Sequence, residues 1–214
     1  MHALAQVVHV DLREELLRAR AAAAQPGEEL PGLARALDAL CGPEITVWRA
    51  LLAPAGFDAR RSAIARRYRY EIETSPRADP RRRGLVWRVE RPLDLAVMRI
   101  ATDPFLGEHD FSAFCRRPPD RAEGPLTRVV TDARWIPAGD GILRFEIEAG
   151  AFCHQMVRSI VGAVVAAGEG RTRPSDVVAL LHSHSREGAP ALAPPEGLCL
   201  VAVRYPEELG GTWR

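Results

Sequence analysis

Arg158 is the first residue whose surroundings suggest chemistry, because it stands in MVRSIVGAVVAAG, a run otherwise built of small and apolar side chains. A guanidinium there either snorkels along its aliphatic stem to water or pairs with a carboxylate, since an unpaired buried charge is costly. His154 lies one helical turn earlier, so the two side chains could line a cleft together, although a lone histidine is more often structural. The second cluster is Arg66-Arg67-Tyr68-Arg69-Tyr70. In a strand its side chains alternate, which puts Tyr68 and Tyr70 with Arg66 and turns Arg67 and Arg69 the other way. Rings interleaved with guanidinium groups suit base stacking and phosphate contact; an ordinary sheet with tyrosines in the core and arginines in water has the same pattern. Arg60-Arg61, Arg81-Arg82-Arg83, Arg116-Arg117, Arg121 and Arg128 add candidate contacts to a nucleic-acid backbone. His182-x-His184 lacks a nearby third ligand, which argues against a metal site. With no glycine-rich phosphate loop, nucleophile elbow or H-E-x-x-H, nucleotide hydrolysis and zinc-peptidase chemistry have no support.

The elements that must position these residues are clearest in the second half. Leu93 to Leu106 reads as a helix, and Thr127 to Ile136 and Ile142 to Ala149 read as a hairpin around Asp140-Gly141. Phe152 to Ala167 reads as a core-facing helix with its stripe on Phe152, Met156, Ile160, Val164 and Ala167. Pro174-Ser175 opens another helix, and Leu198 to Tyr205 is a closing strand. In the first half, Ala3 to Val10, Ile45 to Ala53 and Ala65 to Thr74 are strand-like, and Leu12 to Ala24 and Pro31 to Leu40 read as helices. The charged loop from Arg77 to Gly84 is the natural hinge, dividing a first half of residues 1–83 from a second of 84–214. Strands turn back on one another without steady βαβ alternation, so the expected class is α+β, an antiparallel sheet flanked by helices.

Composition narrows the field further. The chain has 214 residues, is 47% hydrophobic and 27% charged, and carries a net charge of +1 with arginine as its only long cation, there being no lysine. That balance gives a globular protein, excludes a histone-like polycation and still permits local basic patches, although codon preference explains most of the arginines. The longest apolar stretch, Ile160 to Ala167, is far short of the ~20 residues that cross a bilayer, so no membrane partner is expected and the chain reads as soluble and cytoplasmic. Cys41, Cys115, Cys153 and Cys199 are widely spaced without a C-x-x-C pair, which reads as reduced thiols.

Four segments carry a resemblance: FDARRSAIARRYRY (Phe57 to Tyr70), LGEHDFSAF (Leu106 to Phe114), AFCHQMVRSIVG (Ala151 to Gly162) and EGLCLVAVRYP (Glu196 to Pro206). In residues, order and approximate spacing they resemble the tRNA pseudouridine synthase A family. The resemblance implies two related α+β halves around a basic RNA-binding cleft, a homodimer, and no metal or organic cofactor. It implies isomerisation of uridine to pseudouridine at positions 38, 39 and 40 of the tRNA anticodon arm. By the same resemblance Arg158 pairs with the nucleophilic Asp, Tyr68 contacts the target base, and Arg60, Arg66, Arg67, Arg116 and Arg117 are candidate RNA contacts.

The departure is at the front. The family's catalytic signature reads Gly-Arg-Thr-Asp-Ala-Gly-Val-His-Ala, and this sequence opens on Met1-His2-Ala3 where the signature has Val-His-Ala. The nucleophilic Asp then falls about three residues before Met1, so the first half is expected to be incomplete and the chain inactive as written. A start assigned too late, at a GTG codon, accounts for this, with genuine truncation as the alternative. Asp58 matches a position where the family has His or Asp, and so is native there and no substitute nucleophile. The rival reading is a non-catalytic tRNA-binding remnant of the same fold.

Overall fold

Period-two alternation dictates the central strand. In the computed structural model, which describes residues 1–13, 15, 24–117, 124–209 and 211–213, strand β2 spans Ala65–Glu73. Its Tyr68, Tyr70 and Ile72 face Ile147, Phe145 and Leu143 across the antiparallel pairing with β6 (Ile142–Ala149). The intervening residues place Arg67 opposite Glu148, Arg69 opposite Glu146 and Glu71 opposite Arg144. Both faces therefore enforce one register, because a one-residue slip would move every ring to the charged side and every charge to the core.

Further strands are β1 (His2–Ala3), β3 (Trp87–Arg88), β4 (Gly107–Asp110), β5 (Thr127–Pro137) and β7 (Leu198–Arg204), and a two-residue strand, Thr212–Trp213, lies near the end of the chain. Their order is β1-β7-β2-β6-β5-β4, with β3 also on β2. Pairing is antiparallel except for β1 with β7 and β3 with β2. The expected β5–β6 hairpin forms, and Asp140 and Gly141 at its tip both take positive φ, 49° and 71°.

Helices α2 (Leu95–Thr102), α3 (Met156–Gly168) and α4 (Pro174–Ser183) bury their apolar side chains with the Tyr70, Trp135, Phe145 and Ile147 face in one core. The Asp94 carboxylate caps α2 by accepting from the N–H groups of Ala96 and Val97 at 2.9 and 3.1 Å. Almost all of α3 is buried, and its closing Gly168 lets α2 approach: a Cβ there would sit 2.6 Å from Met98 Cγ. The α+β class expected from the sequence is observed.

Two compact units emerge, one of residues 1–6 and 64–204, the other of 7–63 and 205–213. They differ from the halves 1–83 and 84–214, because β2 is hydrogen-bonded between β6 and β7 and so belongs with the later strands. Among its described residues the second unit contains α1 (Pro31–Cys41), a 3₁₀ turn at Glu207–Leu209 and mostly irregular chain.

Several expectations are corrected. Of the strand expected over Ala3 to Val10, only Ala3 lies in a strand, β1, and Leu4 adds one backbone bond to the Leu200 carbonyl at 2.8 Å, while Val8 and Val10 are exposed. Ile45 to Ala53 is no strand either; one isolated bridge joins Leu51 to Glu29 and Trp48 lies exposed. Both segments have strand composition without a long partner edge, and an extended segment needs a ladder to satisfy its backbone. Leu93 to Leu106 is trimmed to α2 and a following 3₁₀ turn at Asp103–Phe105. Most of Leu12 to Ala24 lies outside the described residues.

The thiols are a further correction. Cys115 and Cys153 form a disulfide with Cα atoms 5.7 Å apart, while Cys41 and Cys199 are free. A separation of 38 residues hid the pairing, because only the fold brings the two chain segments together.

Candidate functional site

Tyr68 and Arg66 share the helix-covered side of β2, as their alternation requires. The Arg66 guanidinium donates to the Gly150 carbonyl at 2.6 Å, anchoring the end of β2 to the turn after β6. Tyr68 is half-buried, its ring meeting Phe152 edge-on with centroids 5.0 Å apart. Burial pushes its phenol above the ordinary value, against a smaller opposing effect of Arg66, so it stays protonated at neutral pH. Two residues on, Tyr70 is fully buried and donates its hydroxyl to the Pro194 carbonyl at 2.7 Å.

Arg158 reaches the same loop. Its Nε donates to the Ala193 carbonyl at 2.6 Å, and Ala193 N–H returns a bond to the Arg158 carbonyl at 3.2 Å. The half-buried guanidinium thus neither snorkels away nor pairs with a carboxylate among the described residues; a backbone acceptor holds it. Two glycines permit this seat. A Cβ on Gly162 would run into the Ala191 carbonyl oxygen, and one on Gly197 would lie 2.6 Å from the Tyr70 ring. Guanidinium and phenol therefore fasten adjacent residues of one loop, leaving the terminal nitrogens of Arg158 without a hydrogen bond among the described residues.

His154 does not share a helical face with Arg158, because α3 begins only at Met156. Residues 153–156 form a turn in which Met156 N–H donates to the Cys153 carbonyl at 3.1 Å and Gln155 takes φ 69°. The His154 carbonyl accepts the Arg116 N–H at 2.9 Å, which lays the Arg116 segment beside this turn. Arg116 is exposed, and its side chain makes no ion pair among the described residues.

Arg117 is braced instead, donating to Gly124 O at 2.6 Å and to Ser112 Oγ at 2.9 Å. Ser112 leans on Asp110, whose one oxygen accepts from Ser112 N, Ser112 Oγ and Leu126 N at 2.9, 2.5 and 2.9 Å. Its other oxygen lies 3.2 Å from His184 Nδ1. Burial alone would raise the Asp110 carboxyl; the bonds from Ser112 and Leu126 and the nearby His184 outweigh it and leave the group below its ordinary value. Sequence reasoning missed this hub, although an Asp two residues before a Ser is the local signal of a side chain that caps its own turn.

The other arginines divide by location. Arg67 lies on the opposite sheet face, paired to Glu148 at 2.8 Å, and Arg69 sits 3.6 Å from Glu146 beside it. Arg81 is bound to Asp79, and that hydrogen bond, with the Arg81 backbone N–H, lowers the Asp79 carboxyl to about 2. Arg60 belongs to the other unit, in a turn where the Asp58 carboxylate accepts the N–H groups of Arg60 and Arg61, each at 2.8 Å. Between them Ala59 is clamped, its N–H donating to His9 Nδ1 at 3.2 Å and its carbonyl accepting the Tyr205 hydroxyl at 2.7 Å. Arg121 lies outside the described residues.

Residues 101–206 match the family model described as tRNA pseudouridine synthase. The chain is 42% identical over 212 residues to tRNA pseudouridine synthase A of Frankia casuarinae, covering 97% of this chain and 71% of that one. The protein of the same name from Leifsonia xyli is 40% identical over 98% of this chain and 75% of its own length. That of Chromobacterium violaceum is 38% identical over 97% and 74%.

Proposed function

This chain belongs to the tRNA pseudouridine synthase A family, which isomerises uridine to pseudouridine in tRNA, and from that premise we propose the following division of labour at its site. The target uridines are those at positions 38, 39 and 40 of the anticodon arm, and the enzyme works in the cytoplasm as a homodimer without metal or organic cofactor. Isomerisation breaks the bond from uracil N1 to the ribose and re-forms it at C5, a step served by a carboxylate nucleophile. Arg158 is the residue that receives this carboxylate: its Nε is fixed on Ala193, and the rest of its planar fork is left to bind both oxygens and hold them ionised. Tyr68, kept neutral and set against Phe152, offers the flipped base a ring face and a hydroxyl donor. Arg60, Arg66, Arg116 and Arg117 supply the phosphate contacts.

The observation that carries this reading is the loop at 193–194 tied by Arg158 and Tyr70, with Tyr68 next along the same face of β2. The test is a pair of polypeptides assayed on an anticodon-arm substrate. The 214-residue chain has no carboxylate paired to Arg158 among its described residues and is expected to form no pseudouridine. A chain extended ahead of Met1 by the family's first strand and first helix, ending in Gly-Arg-Thr-Asp-Ala-Gly, is expected to form it, and to lose it again with Arg158→Ala. Turnover by the 214 residues alone would overturn the assignment, and so would an extended chain indifferent to Arg158.

A further inference from the structure

Cys153 directly follows Phe152, whose ring meets Tyr68, and Cys115, its disulfide partner, directly precedes Arg116 and Arg117. Cys115 is fully buried at the end of a 3₁₀ turn, Ser112–Phe114, and is followed directly by Arg116 and Arg117. Cys153 is half-buried, between Phe152, whose ring meets Tyr68, and His154, whose carbonyl holds Arg116. Among the described residues the only other tie between the backbones of 112–117 and 150–155 is that one hydrogen bond, Arg116 N–H to His154 C=O. A Cα separation of 5.7 Å is within the range a disulfide spans, and the pair is bonded in this structure.

We infer that Cys115 and Cys153 are a thiol–disulfide couple, oxidised by low-molecular-weight disulfides, that sets how tightly the chain holds tRNA. This rests on the reading of Tyr68, Arg116 and Arg117 as tRNA contacts. The exchange begins at Cys153, the more accessible of the two sulfurs. Its thiolate attacks one sulfur of the small disulfide, the S–S bond breaks, and the departing thiolate takes up a proton, leaving a mixed disulfide on Cys153. Cys115 then gives up its proton and attacks the Cys153 sulfur, expelling the second small thiol. Two protein thiols are oxidised, and one small disulfide is reduced to two thiols.

The consequence follows from what each cysteine neighbours. With the bond closed, Phe152 and Arg116 are held at one spacing, and the base-contacting and phosphate-contacting parts of the site are ordered before tRNA arrives. With it open, one backbone hydrogen bond and the packing of Phe114 and Phe152 in the core hold them, and binding must supply the order that the covalent tie gave. The oxidised chain is therefore the tighter binder.

The experiment incubates the 214-residue chain with glutathione disulfide or with dithiothreitol and maps the cysteines by alkylation and peptide mass. Binding of a tRNA anticodon arm is measured on the same samples. Expected are a Cys115–Cys153 cross-linked peptide in the first sample alone and binding about three- to tenfold tighter there. Cys153→Ala should bind equally in both conditions, and Cys199→Ser should keep the difference. A mixed disulfide at Cys41 or Cys199 with no Cys115–Cys153 link overturns the inference, and the wild-type map decides this even where a variant fails to fold. A cross-link with equal affinity in both samples also overturns it, and leaves the tRNA reading standing. No binding in either state overturns both.

Discussion

At the scale of single residues, the arginines that resemble one another in sequence are separated by what each side chain touches. Arg116 is exposed and without an ion pair among the described residues, so Arg116→Ala should weaken tRNA binding alike for all tRNAs and reduce the salt slope by about one contact. Arg67 is committed to Glu148, and Arg67→Ala should lower thermal stability, by up to about 1 kcal/mol for a half-exposed pair, while the salt slope stays unchanged. A salt titration of both variants checks the contrast. Asp110 acts through its neighbours. Asp110→Asn loses charge-assisted bonds to Ser112 and Leu126, and denaturant unfolding at neutral pH should show a cost of about 1–3 kcal/mol. The Asp110 carboxyl titrates below its ordinary 3.8 in the folded chain. Its stabilisation is thus complete above the unfolded value and is lost as pH falls through the folded one. The gap between wild type and variant should therefore close on acidification below about pH 4 and stay constant on the alkaline side.

Among the elements, α3 is the one whose seating decides the site, because it carries Arg158 and packs its small face under the loop at 191–197. Gly162→Ala would drive a methyl group into the Ala191 carbonyl, which is backbone and cannot rotate away. The expected loss is about 1–3 kcal/mol, with weaker tRNA binding through the displaced acceptor of Arg158. Gly168→Ala meets side-chain atoms of Met98, Cγ and Sδ, which can re-orient where a backbone carbonyl cannot, and should cost less, so thermal unfolding of the two variants separates a strained loop from general overpacking. The helix boundary was misplaced for a related reason. The apolar stripe continues back to Phe152, yet the left-handed Gln155 breaks the helix there and frees Phe152 to meet Tyr68.

For the whole molecule, the contrast lies between one unit built on a sheet with three helices packed on it and another whose described residues hold little regular structure. Strands β5 and β6 and helix α3 are tied by ladders and buried side chains, whereas residues 8–12 and 43–48 lie in no helix or strand. Hydrogen exchange should accordingly be faster in 8–12 and 43–48 than across Thr127–Ala167; uniform protection would contradict this. A net charge of +1 provides almost no long-range attraction for RNA. Whatever salt dependence tRNA binding shows must then come from locally grouped arginines.

Local chemistry was legible in the sequence wherever it repeats along the chain. Alternation in Arg66–Tyr70 and in Leu143–Ala149 determined which side chains share a face, because strand geometry leaves only two directions for a side chain, and the pairing of the two strands came from the fold. The apolar content of α3 marked it as buried, and the motifs around Tyr68 and Arg158 pointed to the family. What depends on neighbours distant in sequence was decided only by the tertiary structure. Cys115 and Cys153 are paired across 38 residues, and the Nε of Arg158 is held by a carbonyl 35 residues away. Ala3 to Val10 and Ile45 to Ala53 have strand composition but find no long edge to join. Composition determines what a segment can become, whereas a hydrogen-bond acceptor, a sulfur partner or a strand edge exists only once another part of the chain has been brought beside it.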